Sequence, residues 1–317
     1  MAQKQKTDRR EFLKKGLSLG LAAGGAVILG KTDFLQAKET AKSQPDLVAV
    51  KNGEPDAMFK KAMSLMGGMG QFIKKGQTVA VKPNIGFPRK PEVGATTNPI
   101  LIKAIIESCY QAGAKKVYVF DNVVTPTSGN AKNCYQLSGI EDAARSARGI
   151  IVPVDDFSYQ EVTIPGAKTL KTADVHRLIL DADVFINVPV LKHHSSTHLS
   201  IAMKNLMGIV KNRMKYHLIG LDQCIADFCL YKKPDLNIVD AYRVLMSDGP
   251  DGPRDAKDAD VQLKKTLLMS RDIVAVDAAA TKIFGKNPED IGYIKIGHQQ
   301  KTGNMNLNEL KIVTYSM

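Results

Sequence analysis

Short apolar runs rich in β-branched residues alternate with longer stretches of helical periodicity along most of this chain, and that alternation constrains its fold more than any other feature. The runs lie at 47–50, 78–81, 116–120, 150–154, 184–188, 236–239, 266–269 and 310–313. Helical patterns fall between them at 98–112, 139–147, 195–210 and 272–284. The clearest places Ile100, Leu101, Ala104, Ile105 and Cys109 on one stripe, with Asn98 as cap, Pro99 at the first helical position and Gly113 as a stop. Strands that are apolar almost throughout are buried on both faces, so the pattern predicts an α/β fold: a mainly parallel sheet with helices on both sides, built as one large domain over 46–317. With 44% hydrophobic residues the chain has enough apolar side chains for a sizeable core. No internal repeat breaks the pattern.

The first 37 residues do not belong to it. Arg9-Arg10-Glu11-Phe12-Leu13-Lys14 sets an arginine pair, Phe, Leu and Lys ahead of an uncharged run from 16 to 30. That run is about half the length a bilayer-spanning helix needs, and five glycines in it would make a poor soluble helix. It reads as the apolar region of a twin-arginine signal, with Ala37 as its last residue and 38–45 as a polar linker. The expected location is therefore periplasmic or otherwise exported, with the twin-arginine machinery as a transient partner and no stable membrane span in the mature form.

Charge and cysteine narrow the chemistry. Beyond residue 37 the chain holds 37 Lys and Arg against 29 Asp and Glu. The excess is spread out, without a basic run interleaved with aromatics, so no nucleic-acid partner is expected and a small anionic ligand is. Cys109, Cys134, Cys224 and Cys229 have neither zinc-ribbon nor ferredoxin spacing, which predicts no iron–sulfur cluster. Cys109 falls on an apolar helical face and reads as core.

Polar residues at the ends of the strands point to a site. Lys82-Pro83-Asn84 follows the second run, Asp121-Asn122 the third, Asp155-Asp156 the fourth, residues 189–194 the fifth and Asp240 the sixth. In open parallel sheets, ligand crevices open beyond the carboxyl ends of strands, so these residues are expected to converge. Turn chemistry alone accounts for Asp and Asn there, but Lys and His are not turn formers. The stretch from Lys192 to His198 carries three of the six histidines, and Lys204-Asn205 and Gly208 follow. Read as a helix capped by Ser195 or Ser196, it would aim free backbone N–H groups at an anion. Two chemistries stay open. Lys82, Asn84, Lys204 and Asn205 suit an anion, with Lys192 and His194 as charge stabilisers and proton carriers. His194, His198 and His217 suit a divalent transition metal, the first two lying four residues apart as on one helical face. The Asp248–Pro253 turn cluster is expected at the rim. No phosphate loop, dinucleotide fingerprint or Gly-x-Ser-x-Gly elbow is present, which counts against nucleotide kinases, Rossmann dehydrogenases and serine hydrolases.

An ordered set of short motifs resembles the domain of unknown function 362 family. They are Val81-Lys82-Pro83-Asn84, Ala95-Thr96-Thr97-Asn98-Pro99, Gly113-Ala114-Lys115-Lys116-Val117, Asp121, Leu191-Lys192-His193-His194, Lys204-Asn205-Leu206-Met207-Gly208, His217, Asp227, Gly252-Pro253 and Asp272-Ile273-Val274-Ala275-Val276-Asp277. The family's Lys-x-His and Lys-Asn-x-x-Gly elements correspond to Lys192, His194, Lys204, Asn205 and Gly208. The resemblance implies an α/β domain and often export, but no settled reaction. Some relatives carry an added ferredoxin-like segment that is lacking here, which argues against direct electron transfer. The readings left are an exported enzyme acting on a small acidic substrate and a non-catalytic metal- or cofactor-binding maturation protein of the cell envelope.

Overall fold

The computed structural model describes residues 27–28, 44–124, 128–153 and 158–317. The leader, apart from Val27 and Ile28, most of the linker, and Asp155-Asp156 lie outside the described residues. Eight strands make the main sheet: β1 Leu47–Lys51, β2 Thr78–Pro83, β3 Lys116–Val119, β4 Ile150–Ile151, β5 Val184–Val188, β6 Leu236–Leu245, β7 Val261–Ser270 and β8 Ile312–Ser316. Their order across the sheet is β8-β1-β7-β6-β5-β2-β3-β4, with Val27–Ile28 paired outside β8. β7 is antiparallel to both of its neighbours, and every other pair among the eight is parallel. The sheet is therefore mainly parallel, as the apolar runs predict.

Alternation along each strand divides the core in two. Val79 and Val81 face the layer of Met58, Phe59, Leu101, Ile105 and Cys109, while Ala80 faces that of Ile225, Phe228, Val274, Ala278 and Tyr293. Helices Pro55–Leu65 and Pro99–Gln111 cover the first face, and Leu221–Tyr231, Ile273–Phe284 and Gly292–Gln299 the second. Helix starts follow local rules. Asn98 accepts from the N–H of Ile100 at 2.9 Å ahead of Pro99, and Asp272 accepts from Val274 and Ala275 at 2.8 and 3.0 Å. All four cysteines are free and buried. Among the described residues no helix is long and apolar enough to cross a membrane.

The segment 195–210 departs from the helix that its periodicity suggests. Lys192–His194 and His198–Ser200 form an antiparallel hairpin, followed by a one-turn helix, Ala202–Asn205, and a 3-10 turn, Leu206–Ile209. Ser196 and Thr197 bond locally instead: the N–H of Ser196 donates to His194 Nδ1 at 3.1 Å, and Thr197 Oγ1 to Leu199 O at 2.9 Å, while the N–H of Ser195 donates to Gly249 O at 3.2 Å. There is thus no helix N-terminus at Ser195 or Ser196, and His194 faces His198 across the hairpin rather than along a helix. A second hairpin, Tyr159–Thr163 with Thr172–His176, has no counterpart in the sequence reading.

Strand order places the crevice. From β2 the chain runs outward through β3 to β4, then returns as β5 on the other side of β2. The order reverses between β2 and β5, and the loops leaving their carboxyl ends diverge there. Lys82 pairs in register with Asn187, and Asn237 of β6 with the same residue, so three polar side chains stand at one level of the sheet.

Candidate functional site

Lys82 and Lys192 meet at that reversal point, on the same edge of the sheet. Lys82 is 1% exposed, and its ammonium donates to Pro83 O at 2.9 Å and Asn205 Oδ1 at 3.0 Å while ion-pairing with Asp121 Oδ1 at 2.8 Å. The other Asp121 oxygen accepts from the N–H of Ile85 at 2.6 Å. Burial holds Lys82 below the usual lysine range, and Asp121 opposes that shift. Lys192, also 1% exposed, donates to Ala95 O at 2.5 Å and Asn84 Oδ1 at 3.1 Å, and lies 5.4 Å from the centre of the Phe87 ring. Its pKa is pushed down to about 7, first by burial and then by Lys204 and Lys82, against the pull of Asp121 and Asp251.

Two asparagines bind these lysines into one network. Asn84 Nδ2 donates to Asn205 Oδ1 at 2.9 Å, and Asn205 Nδ2 to Asn187 Oδ1 at 2.8 Å. Asn187 in turn donates to Asn237 at 3.0 Å. Their amides are largely occupied in joining the lysines, and the three donors of Lys82 are all engaged. Lys82 and Asn205 are thus engaged in the framework, while half-buried Asn84 keeps one amide N–H beyond its bond to Asn205.

Lys204 differs. It is 7% exposed, and among the described residues its single hydrogen-bond partner is the Met207 thioether at 3.4 Å. Burial brings its pKa down to about 8; Asp222 resists the shift and Arg213 adds to it. The one-turn helix that carries it is held from the opposite helix, where Asp277 accepts from the N–H groups of Ala202 and Met203 at 2.7 and 2.9 Å. That carboxyl is pushed up to about 8 by burial, with the two amides pulling the other way.

The histidines ring this cluster unequally. His194 is buried, and its pKa is driven down to about 3 by burial, then by Lys204, Lys192, His217 and His193. Because Nδ1 accepts from Ser196, the neutral ring carries its proton on Nε2 and presents a donor. His217 sits on the exposed helix Met214–Ile219 and is also held below the usual histidine value, by burial and by Lys204. His198 is exposed and held at a φ of 62°, an uncommon conformation for a residue with a side chain. His193 Nδ1 accepts from the N–H of Gly249, which seats the 248–253 loop on the rim, and Arg89 fastens that loop through Asp251 at 2.9 Å. Among the described residues no group of three or more His, Cys, Asp or Glu side chains is arranged to hold a metal ion.

All of these lysines and histidines, from Lys82 to His217, fall within residues 79–282, which match the family described as "Domain of unknown function (DUF362)". The chain belongs to the DUF362 family. The Thylakoid-associated protein sll1697 of Synechocystis sp. is 27% identical over 243 residues, covering 74% of this chain and 71% of that protein. Among solved structures, a Thermotoga maritima protein aligns with 78% of this chain and 60% of its own length, at 13% identity and a TM-score of 0.44. The lactate racemase apoprotein from Thermoanaerobacterium thermosaccharolyticum aligns with 81% and 61%, at 11% identity and a TM-score of 0.42. The chain thus spans about three fifths of the length of these two structures.

The DUF362 motifs read from the sequence mark the lysines of the network but not everything that holds them. Asp121 is named there as a polar residue after a strand and as one of the motifs, without a partner, and it proves to be the counter-ion of Lys82. Gly208 is where backbone and ion pair touch: a Cβ there would lie 2.0 Å from Asp121 Oδ1 and 2.7 Å from Lys82 Nζ. Arg213, which donates to the carbonyls of Asn122 and Val123 at 2.5 and 2.6 Å, was unmarked as a site residue. So was Asp222. Asp277 had a legible signal, an acid inside an otherwise apolar helix pattern, though nothing in the sequence says which backbone it caps.

Proposed function

We propose that this site binds a small oxyanion, a carboxylate or phosphate, through Lys204, Lys192 and His194, in an exported enzyme acting on a small acidic substrate. The observation that carries the reading is Lys204: a buried ammonium with only a thioether for a partner leaves donors unsatisfied at considerable cost unless a ligand oxygen meets them. Lys192 has one donor left after Ala95 and Asn84, and His194 offers Nε2–H. A lysine poised at about 7 is also suited to take up or release a proton near neutrality.

The metal-binding or maturation reading draws on the pairing of His194 with His198 across the hairpin. The hydrogen bonding weighs against it, because a metal-bound imidazole needs a free lone pair on one nitrogen and a donor on the other. His194 has the reverse arrangement, with Nδ1 accepting from Ser196.

Titration calorimetry with inorganic phosphate tests the anion reading. Binding is expected to weaken by about 10- to 100-fold in Lys204→Met, the loss of one charge-assisted hydrogen bond. Equal affinity in wild type and Lys204→Met would refute it. Export has its own test: Arg9→Lys with Arg10→Lys is expected to strand the protein in the cytoplasm, since the signal reads the guanidinium pair and not the charge alone. Normal periplasmic recovery of the double variant would remove export from the proposal.

A further inference from the structure

The anion reading leaves one charged group of the site unused. Asp222 is the second residue of helix Leu221–Tyr231, which packs against both the one-turn helix of Lys204 and helix Gly292–Gln299. Its carboxylate is fixed from behind. The N–H of Tyr293 donates to it, and Oδ2 lies so close over Gly292 that a Cβ there would be 2.5 Å away. Oδ1 is buried and, among the described residues, has no hydrogen-bond partner. Lys204 and Asp222 act on one another electrostatically, yet no ion pair within 4.0 Å joins them. Opposite charges in a poorly solvated setting close into contact unless their backbones hold them apart. Here both backbones are held, one by Asp277 under the short helix and the other by Gly292 and Tyr293. What remains among the described residues is an ammonium bonded only to a thioether on one side and an acceptor without a donor on the other.

We propose that Asp222 is a specificity-determining residue, selecting an oxyanion that still bears a proton, such as hydrogen phosphate or a carboxylate with a donor group beside it, over a fully ionised anion. A ligand of the first kind gives lone pairs to Lys204 and an O–H or N–H to Asp222 Oδ1. Sulfate, having no proton to give near neutrality, sets its lone pairs against the carboxylate and leaves a buried acceptor unpaired. A site built around a hydrogen bond rejects an analogue that lacks the partner far more strongly than an apolar pocket rejects a change of shape. This rests on the anion reading and goes one step past it, from charge to protonation state.

The experiment compares inorganic phosphate with sulfate by titration calorimetry on the purified full chain near pH 7. Wild type is expected to prefer phosphate by about tenfold or more. In Asp222→Asn the amide keeps the shape, loses the negative charge and can donate, so sulfate gains and the preference falls to within about threefold. Equal binding of the two anions by wild type would overturn the role of Asp222 while leaving the anion site intact. An unchanged preference in Asp222→Asn would overturn it as well, and the wild-type ratio decides the matter even if that variant does not fold. Binding of neither anion would overturn the anion reading itself, and this inference with it.

Discussion

Asp121→Ala is expected to cost about 3–5 kcal/mol of unfolding free energy, the loss associated with stripping the partner from a buried charge. Lys82 would keep its bonds to Pro83 O and Asn205 Oδ1 but lose the carboxylate 2.8 Å away, and the N–H of Ile85 would lose its acceptor. With 1% of its surface exposed, Lys82 cannot recover by reaching water. Urea denaturation of wild type and variant measures the difference. A control separates the pair from its surroundings: Asp121→Asn combined with Lys82→Met removes both charges while an amide oxygen still faces Ile85, and it should regain most of the loss. A single-variant cost below about 1 kcal/mol would mean that the lysine is not held as a charged group.

The same ion pair shows what the sequence could and could not disclose. Strands, sheet class and the cap at Asn98 follow from near-continuous apolar runs, their alternation with helical stretches and side-chain chemistry, all properties of contiguous residues. Convergence at the strand ends was legible too, because a parallel sheet puts every carboxyl end on one edge: Lys82 and Lys192 lie 110 positions apart and share Asn84 as a neighbour. Partnership was not legible. Asp121 pairs with Lys82 because β3 lies next to β2, and Asp277 caps residues 202 and 203 because two helices stack on one face. Such contacts belong to register and packing rather than to spacing. The misplaced helix at 195–210 has a local cause. Apolar residues from Leu199 to Val210 mimic a helical stripe, while Ser196 and Thr197 bond within their own turn and fold the first half into a hairpin. The metal reading took the four-residue spacing of His194 and His198 as one helical face, and the hairpin sets them opposite one another instead.

Raising the pH from about 8 to about 9 is expected to weaken ligand binding while the two lysines contribute growing stability to the ligand-free protein, and this is the largest reversible effect the site should display. Lys192 and Lys204 are brought down to about 7 and about 8 chiefly by burial, so in the folded protein the first is largely neutral at the start of this range and the second loses its proton through it. In the unfolded chain both stay charged up to about 10.4. At these two sites the unfolded state then binds more protons than the folded one, so their contribution to ligand-free stability rises with pH, by up to roughly 1.4 kcal/mol for each lysine over one unit. Other groups contribute to the slope as well. Asp277, raised to about 8, holds an extra proton in the folded state at lower pH and contributes the opposite slope there. The thiols of Cys109, Cys134, Cys224 and Cys229, all raised by burial, contribute that same opposite slope inside the window, because unfolded thiols ionise at about pH 8.5. Phosphate is already a dianion throughout the window, so its affinity follows the lysines and should fall by about tenfold for each ammonium that binding requires. Calorimetry and urea melts at the two pH values measure both trends. Lys192→Met with Lys204→Met should flatten the affinity trend and lower the slope of stability against pH by the lysines' share, so the difference between wild type and variant is the lysine contribution. Affinity and stability rising in parallel, or an affinity indifferent to pH, would show that neither lysine meets the anion as a cation.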